Sequence, residues 1–312
     1  MYSLKSGEKL ELLAPAKLNL FLELLARRDD GFHEIETLMV AINIFDTIRI
    51  SARSDRQLEL SCHWAGGFNA SSTPVGSSYG WPTLPTERDN LVWQAMEELR
   101  SRAGIELGAT IEVIKRIPAA AGLGGASSDA AAALIVANEL WRLGWSATQL
   151  AEVAADLGSD VPFFLAGGAA VCRGRGERME SVTRITRMDF VVVQPPCGLS
   201  TKQVYQHSQL TEKPCRVDPL LAATQQGRLS LMGKSMFNRL QEPAAQLSPW
   251  INRTRREFQN LDVCGHQMSG SGTSYFGLCR NARHARRIAN RLRGRIAGTV
   301  FCAHSLPPHR RR

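Results

Sequence analysis

Between Ile117 and Leu134 the sequence reads IPAAAGLGGASSDAAAAL. Gly122, Gly124 and Gly125, followed at once by Ser127 and Ser128, are residue types suited to holding an oligophosphate. Glycine backbone takes positive φ without strain and lets a ligand approach closely. A helix beginning at such a point presents unpaired N–H groups and the positive end of its dipole. The serine hydroxyls can donate to phosphate oxygens or ligate magnesium. Asp129, in the same run, would repel a phosphate unless a lysine or a metal intervenes. The stretch lacks the Lys-Ser/Thr ending of a Walker loop, so its cation must come from elsewhere in the chain. Taken alone, the same residues also make a plain serine-capped turn on an alanine-rich helix.

Three other places carry candidate chemistry. In LELLAPAKLNLFLELLA, Leu18, Leu20, Leu22 and Leu24 alternate with Lys17, Asn19, Phe21 and Glu23, which is strand behaviour. Lys17 and Asn19 then share one face, roughly 6–7 Å apart. Asp160, in GSDVPFF, sits between a helix end and a proline, where an ordinary turn aspartate is equally at home. SGSGTS, Ser269 to Ser274, is a second glycine-rich turn that could equally be a plain strand connection.

The elements expected to position these residues are read from periodicity. A second strand region, IETLMVAINIFDTIRISA, follows the polar tip RRDDGFH. Residues 61–88, rich in Gly, Ser and Pro, are expected to form a long loop. NLVWQAMEELRSRAG reads as an amphipathic helix ending at Gly104, GATIEVIKRI as a strand, and ATQLAEVAADLG as a helix closing at Gly158. MDFVVVQPP reads as a buried strand, and GTSYFGLC as another. A boundary near Gly167–Gly168 would divide the chain into an N-terminal domain, 1–167, carrying the glycine loop, and a C-terminal domain, 168–312.

Composition bounds the function. The 312 residues leave room for two domains, and 44% apolar with 21% charged residues is the balance of a soluble globular protein. No apolar run is long enough to span a bilayer and the first residues lack a secretory apolar core, so no membrane association and a cytoplasmic location are expected. Seven scattered cysteines, none in a C-x-x-C pair, argue against a disulfide framework and against a zinc site. Of the 38 Lys and Arg, ten arginines lie between Val263 and Arg312 with no acid among them, leaving 28 basic against 29 acidic residues before. RHARRIANRLRGRI puts Ile288, Leu292 and Ile296 on one helical face, which makes a surface helix with a solvated basic side. A nucleic-acid patch is the competing reading, and the lack of interleaved aromatics argues against it.

PAKLNLFLEL, then PAAAGLGGASSDAAAAL with GSDVPFFLAGG, then MSGSGTSYFGL resemble, in order, the three motifs of the GHMP kinase superfamily. The resemblance runs from about Leu13 to Leu278 and fades in residues 61–86 and in the arginine-rich end. It implies an α+β, two-domain GHMP kinase fold. The N-terminal domain would be similar to ribosomal protein S5 domain 2, the C-terminal one ferredoxin-like. It also implies ATP, with magnesium bound alongside it, and transfer of a phosphoryl group to a small-molecule hydroxyl. AKLNLFL, DGFHEIETLM and DVPFFL look most like members whose substrate is a methylerythritol carrying a cytidine diphosphate. On this resemblance Lys17 supplies the missing cation and Asp160 orients the acceptor hydroxyl and receives its proton. Gly122, Gly124, Gly125, Ser127 and Ser128 would hold the ATP phosphates, with Asn90 and Lys115 on the adenine side. Asn19, Phe32, His33, Thr201 and Tyr205 would face the substrate, together with Ser269, Gly270, Ser271 and Gly272. Tyr205 stands where the family often has phenylalanine, a change that keeps a stacking ring. A homoserine or mevalonate kinase of the same superfamily is the alternative, and a basic nucleic-acid-binding protein on an S5-like fold a more distant one.

Overall fold

The structure, a computed structural model, describes residues 3–6, 9–66 and 83–307. They divide into two compact units, and each draws on separated stretches of chain. Two long strands, β2 (Lys9–Arg27) and β3 (His33–Arg53), contribute to both.

The first unit comprises Met1–Ala16, Ile44–Ala119 and Gly124–Gly167. Its sheet runs in the order β1-β2-β3-β5-β4, where β1 is Ser3–Ser6, β4 is Leu58–Trp64 and β5 is Gly108–Lys115. β5 pairs antiparallel with the end of β3 and parallel with β4. Helices α1 (Leu91–Ala103), α2 (Gly125–Leu140), α3 (Ala147–Leu157) and α4 (Val161–Ala166) pack with one another. Local sequence sets their ends. Asn90 caps α1 by accepting from the Val92 N–H, and Gly104 ends it in the left-handed region at φ 63°. Ser146 and Gln149 form a reciprocal capping box on α3. Ala130 to Ala133 of α2 are fully buried, so neighbouring helices approach without side-chain bulk between them.

The expected loop at 61–88 is shorter than its composition suggests. Ser61 to Trp64 complete β4, whose ladder with β5 supplies their backbone hydrogen bonds. The alternation in LELSCHW was hidden by the glycines and serines after it, since periodicity over so few residues is a weak signal. Glu87–Asp89 form a single 3-10 turn. Residues 67–82 of that stretch lie outside the described residues, as do Arg310 to Arg312 of the basic end.

The second unit comprises Lys17–Asn43, Ala120–Leu123 and Gly168–Arg312. Here β3 pairs with β6 (Ala169–Gly174), β6 with β7 (Arg178–Ser181), and β2 takes a short parallel partner, β9 (Phe237–Asn238). A separate antiparallel sheet contains β8 (Asp189–Gln194), β10 (Gly265–Met268), β11 (Tyr275–Cys279) and β12 (Thr299–His304), in the order β10-β11-β8-β12. With helices after β8 and after β11, this is the expected ferredoxin-like arrangement. The helices are α5 (Thr201–Gln206), α6 (Asp218–Gln225), α7 (Leu229–Ser235), α8 (Gln241–Leu247), α9 (Pro249–Gln259) and α10 (Ala282–Arg293).

The arginine-rich segment folds as its pattern implies. Ala285, Ile288, Ala289 and Leu292 of α10 are buried in the core of this unit, while Arg283, Arg286, Arg287 and Arg291 are exposed. Ile296 lies beyond the end of the helix yet still packs on that core. Ile288→Ala should therefore cost about 2–5 kcal/mol in denaturant unfolding, the range for a buried aliphatic truncation. Arg283→Ala should stay within about 0.5 kcal/mol of the parent. Equal effects of the two substitutions would mean that α10 does not bury the face described.

Candidate active site

In the second unit the two glycine turns meet back to back. A Cβ placed on Gly122 would lie 2.1 Å from the Ser269 carbonyl oxygen, and one on Gly272 only 1.9 Å from the Gly122 nitrogen. Gly122 (φ 74°) and Gly270 (φ 58°) also adopt the left-handed backbone that side chains disfavour. Only glycine satisfies both demands here. The turns are tied together as well as pressed together. The Ser274 N–H donates to the Ala121 carbonyl (3.0 Å) and the Ser269 hydroxyl to the Gly122 carbonyl (3.0 Å). Asn238 of β9 holds the second turn from behind, its side-chain amide donating to the Met268 and Gly270 carbonyls, each at 2.8 Å.

Lys17 and Asn19 lie on β2 beside these turns. The Lys17 N–H donates to the Leu123 carbonyl (2.9 Å), and the Lys17 ammonium donates to Asn19 Oδ1 (2.5 Å). A Cβ on Gly270 would sit 3.0 Å from Asn19 Oδ1 and 3.2 Å from Lys17 Nζ. The strand thus carries the Lys17 ammonium to the second glycine turn. Lys17 and Asn19 are both buried, although they belong to the polar half of the strand's alternation. That burial makes their hydrogen bonds obligatory. The structure therefore brings Lys17, Asn19, Gly122, Ser269, Gly270 and Gly272 into one cluster.

The first unit holds the remainder of the glycine loop. Gly124 precedes α2 at φ 72° and Gly125 begins it, with no acid in the first turn. Ser127 is half-buried; Ser128 is fully buried and its hydroxyl has no hydrogen-bond partner. The charge of Asp129 is met by a lysine, Lys115 at the end of β5. Its ammonium donates to Asp129 (2.6 Å) and, at very short range, to Asp46 of β3. Asp46 also accepts from the Arg116 and Ile117 N–H groups. Burial, with Asp46 beside it, raises the Asp129 pKa well above the usual carboxylate value against the pull of Lys115. The triad staples the strand entering the loop to the helix leaving it. Asn90 caps α1 and donates to the Pro85 carbonyl. Asp160 is half-buried just before α4, with Pro162 in the first turn of that helix.

The aromatic residues expected at the substrate lie in the second unit. The His33 and Tyr205 rings are 5.3 Å apart and tilted by 45°, whereas Phe32, half exposed at its tip, has the Arg175 guanidinium 4.9 Å above its ring. Burial, helped by Arg27, lowers the His33 pKa, which favours the neutral imidazole. Thr201 opens α5 and accepts from the Ser271 hydroxyl (2.9 Å), linking the second glycine turn to that helix. Asp46, Asn238 and Arg175 were not singled out from sequence. Each gains meaning only from partners far away in the chain, and no spacing signals them.

The comparisons with known proteins agree with this fold. Profiles of the GHMP kinases match the chain twice, the N terminal domain over residues 90–168 and the C terminal domain over residues 220–297. The glycine loop and Asp160 lie in the first match; the second glycine turn lies in the second. The 4-diphosphocytidyl-2-C-methyl-D-erythritol kinase of Pelotomaculum thermopropionicum is 38% identical, covering 90% of this chain and 93% of its own. The crystal structure of a 4-(cytidine 5'-diphospho)-2C-methyl-D-erythritol kinase superposes with a TM-score of 0.74 at 33% identity, over 94% of this chain and 98% of that one. A homoserine kinase from Cytophaga hutchinsonii superposes with a TM-score of 0.72, over 99% of this chain and 98% of that one. At 18% identity this shows the shared fold alone. The chain belongs to the GHMP kinases and, within them, to the 4-diphosphocytidyl-2-C-methyl-D-erythritol kinase family.

Lys115→Met leaves Asp46 and Asp129 buried without their cation. The variant should lose about 3–5 kcal/mol of unfolding free energy near pH 7. A carboxyl with a raised folded-state pKa takes up a proton on folding. Its contribution is full below the unfolded pKa and is lost as pH rises through the folded one. The deficit of the variant should therefore shrink as the pH is lowered toward the usual carboxylate range, as denaturant titrations at each pH would show. A deficit that grows on acidification would contradict the burial of the triad.

Proposed function

We propose that this protein uses ATP to phosphorylate a hydroxyl on the methylerythritol part of 4-diphosphocytidyl-2-C-methyl-D-erythritol, a cytoplasmic step in making isoprenoid precursors. The observation that carries this reading is the cluster in which Lys17 and Asn19 lie against two interlocked glycine turns. The names and extent of the relatives point the same way. Among the described residues no helix is long and apolar enough to cross a membrane.

Phosphoryl transfer needs positioning and charge neutralisation more than covalent help. Gly122, Gly124 and Gly125, with the N–H groups opening α2, take the phosphates, aided by Ser127 and Ser128. Asn90 and Lys115 stand on the adenine side, Lys115 chiefly by holding its strand in place. Lys17 neutralises charge on the transferring group as it accumulates. Asp160 orients the acceptor hydroxyl and takes its proton. Magnesium comes with the nucleotide and shields its phosphate charge. Ser128, a buried hydroxyl without a hydrogen-bond partner, is an oxygen donor of the kind this ion takes. The described residues hold no cluster of three or more His, Cys, Asp or Glu that would bind a metal by itself.

The cytidine end falls to Phe32, His33, Thr201 and Tyr205, with Ser269, Gly270, Ser271 and Gly272 along the phosphate-bearing part. A neutral His33 can both donate to and accept from a cytosine edge. The exposed ring of Phe32 and the His33–Tyr205 pair favour a flat base over the aliphatic substrates of homoserine and mevalonate kinases.

Mass spectrometry of the cytidyl substrate after incubation with ATP should show the gain of one phosphate, with homoserine and mevalonate unchanged. Transfer to either of those instead would replace this reading with theirs. Asp160→Asn should lower single-turnover kcat by roughly 10²–10⁴ while ATP binding changes little. Lys17→Met should also lower kcat, and the double variant should lose less than the product of the two losses. Near-normal chemistry in Asp160→Asn would remove it from the reaction. Phe32→Ala or Tyr205→Ala should weaken the cytidyl substrate about tenfold or more, ATP far less. An unchanged substrate KM in both would place the base elsewhere.

A further inference from the structure

We infer that Thr37 is a positioning residue for the lysine of this site, acting through Asn19; the inference rests on the kinase reading above. Thr37, on β3, is buried at 1% exposure. Its hydroxyl donates to the Phe21 carbonyl (2.5 Å) and accepts from Asn19 Nδ2 (2.9 Å). A hydroxyl has one proton, and a carbonyl oxygen can only accept. The proton of Thr37 is therefore committed to Phe21, and what it offers Asn19 is a lone pair. That fixes the amide: the NH₂ end of Asn19 must face Thr37, and Oδ1 must face the Lys17 ammonium.

The opposite amide orientation would set an NH₂ group against an ammonium and leave a buried donor without an acceptor. Both faults are costly where water cannot enter. Lys17, a donor only, demands the amide oxygen on one side of Asn19, and Thr37 supplies the acceptor that the NH₂ end needs on the other. The Asn19 N–H donates to the Ser269 hydroxyl and its carbonyl accepts from the Gln267 side-chain amide, and on the Asn19 side both bonds use the main chain. These hold the strand in register and leave the side chain to Lys17 and Thr37. A Cβ on Gly270 would crowd the amide oxygen at 3.0 Å and the ammonium at 3.2 Å, so the glycine leaves these two groups the place they occupy. Thr37 thus sets the direction of a hydrogen-bond chain, Phe21 carbonyl to Thr37 to Asn19 to Lys17, that ends on the cation of the site. Thr37 reaches the reacting atoms only through this chain.

The test compares Thr37→Val, which keeps the shape and loses the hydroxyl, with Thr37→Ser, which keeps the hydroxyl. Thr37→Val should lower kcat on the order of 10- to 100-fold, the effect of disturbing one hydrogen bond to a charged group, with KM for ATP within about twofold. Thr37→Ser should restore most of the turnover. A second readout is independent of activity. Exchange of the Asn19 side-chain amide protons, followed by NMR, should be slow in the parent and in Thr37→Ser and fast in Thr37→Val. Parent-like kcat and amide protection in Thr37→Val would overturn the inference. So would an equal loss in Thr37→Ser, which would assign the effect to the methyl group and packing. Should the parent protein transfer no phosphate to the cytidyl substrate, the function reading falls, and amide exchange still decides the role of Thr37.

Discussion

The approach of Gly122 to Gly272 is the constraint on which the site in the second unit depends. Two backbone turns pass so close that a single Cβ on either would overlap main-chain atoms of the other. Close approach removes water from between them, so every polar group at the contact needs a protein partner. The Ser269 hydroxyl, the Ser274 N–H and the Asn238 amide meet that need. The same contact fixes where Lys17 can lie, since its own N–H is bonded to Leu123 in the first turn. The lysine beside these turns therefore comes from a long strand, while the glycine loop itself carries none.

Buried charge is handled in two ways. In the first unit Lys115 lies between Asp46 and Asp129, one cation for two carboxylates, and the raised pKa of Asp129 follows from burying that imbalance. In the second unit Glu23, fully buried on β2, is held by a two-pronged bond from Arg239 and by the Cys215 and Leu24 N–H groups. Those bonds lower its pKa in spite of burial. Such groups stabilise little relative to apolar replacements of the same shape, yet removing one partner is expensive. Their value lies in register. Arg239 adjoins Asn238, so the ion pair also anchors the short strand that supports the second glycine turn.

A fold shared at 18% identity with a homoserine kinase says little about the acceptor. The tip and short helix of the second unit present the half-exposed Phe32, the His33–Tyr205 ring pair and the Thr201–Ser271 bond, on which the proposed reading of the acceptor rests. The basic C-terminal helix is built otherwise: its apolar side is core, and its arginines face solvent or pair locally, as Arg287 does with Asp262.

Much of this was legible in the sequence wherever the signal is local. The strand carrying Lys17 and Asn19 follows from strict alternation, α1 from its amphipathic pattern and Gly104, α3 from the run closing at Gly158, and α10 from its apolar stripe. The glycine motifs and their order carried the resemblance that placed Lys17 against the loop. Alternation alone would have exposed Lys17 and Asn19, and only packing in three dimensions buries them. Strand β4 escaped notice because seven residues beside a glycine- and serine-rich run give little periodicity. Tertiary structure alone decided the residues that act at a distance. Asp46 reaches Lys115 across 69 positions, Ser269 meets Asn19 across 250, and Thr37 meets Asn19 from the neighbouring strand. An aspartate, a serine or a threonine in a strand has no local feature announcing such a partner. Its role comes into being when folding removes water and leaves one protein group to satisfy another.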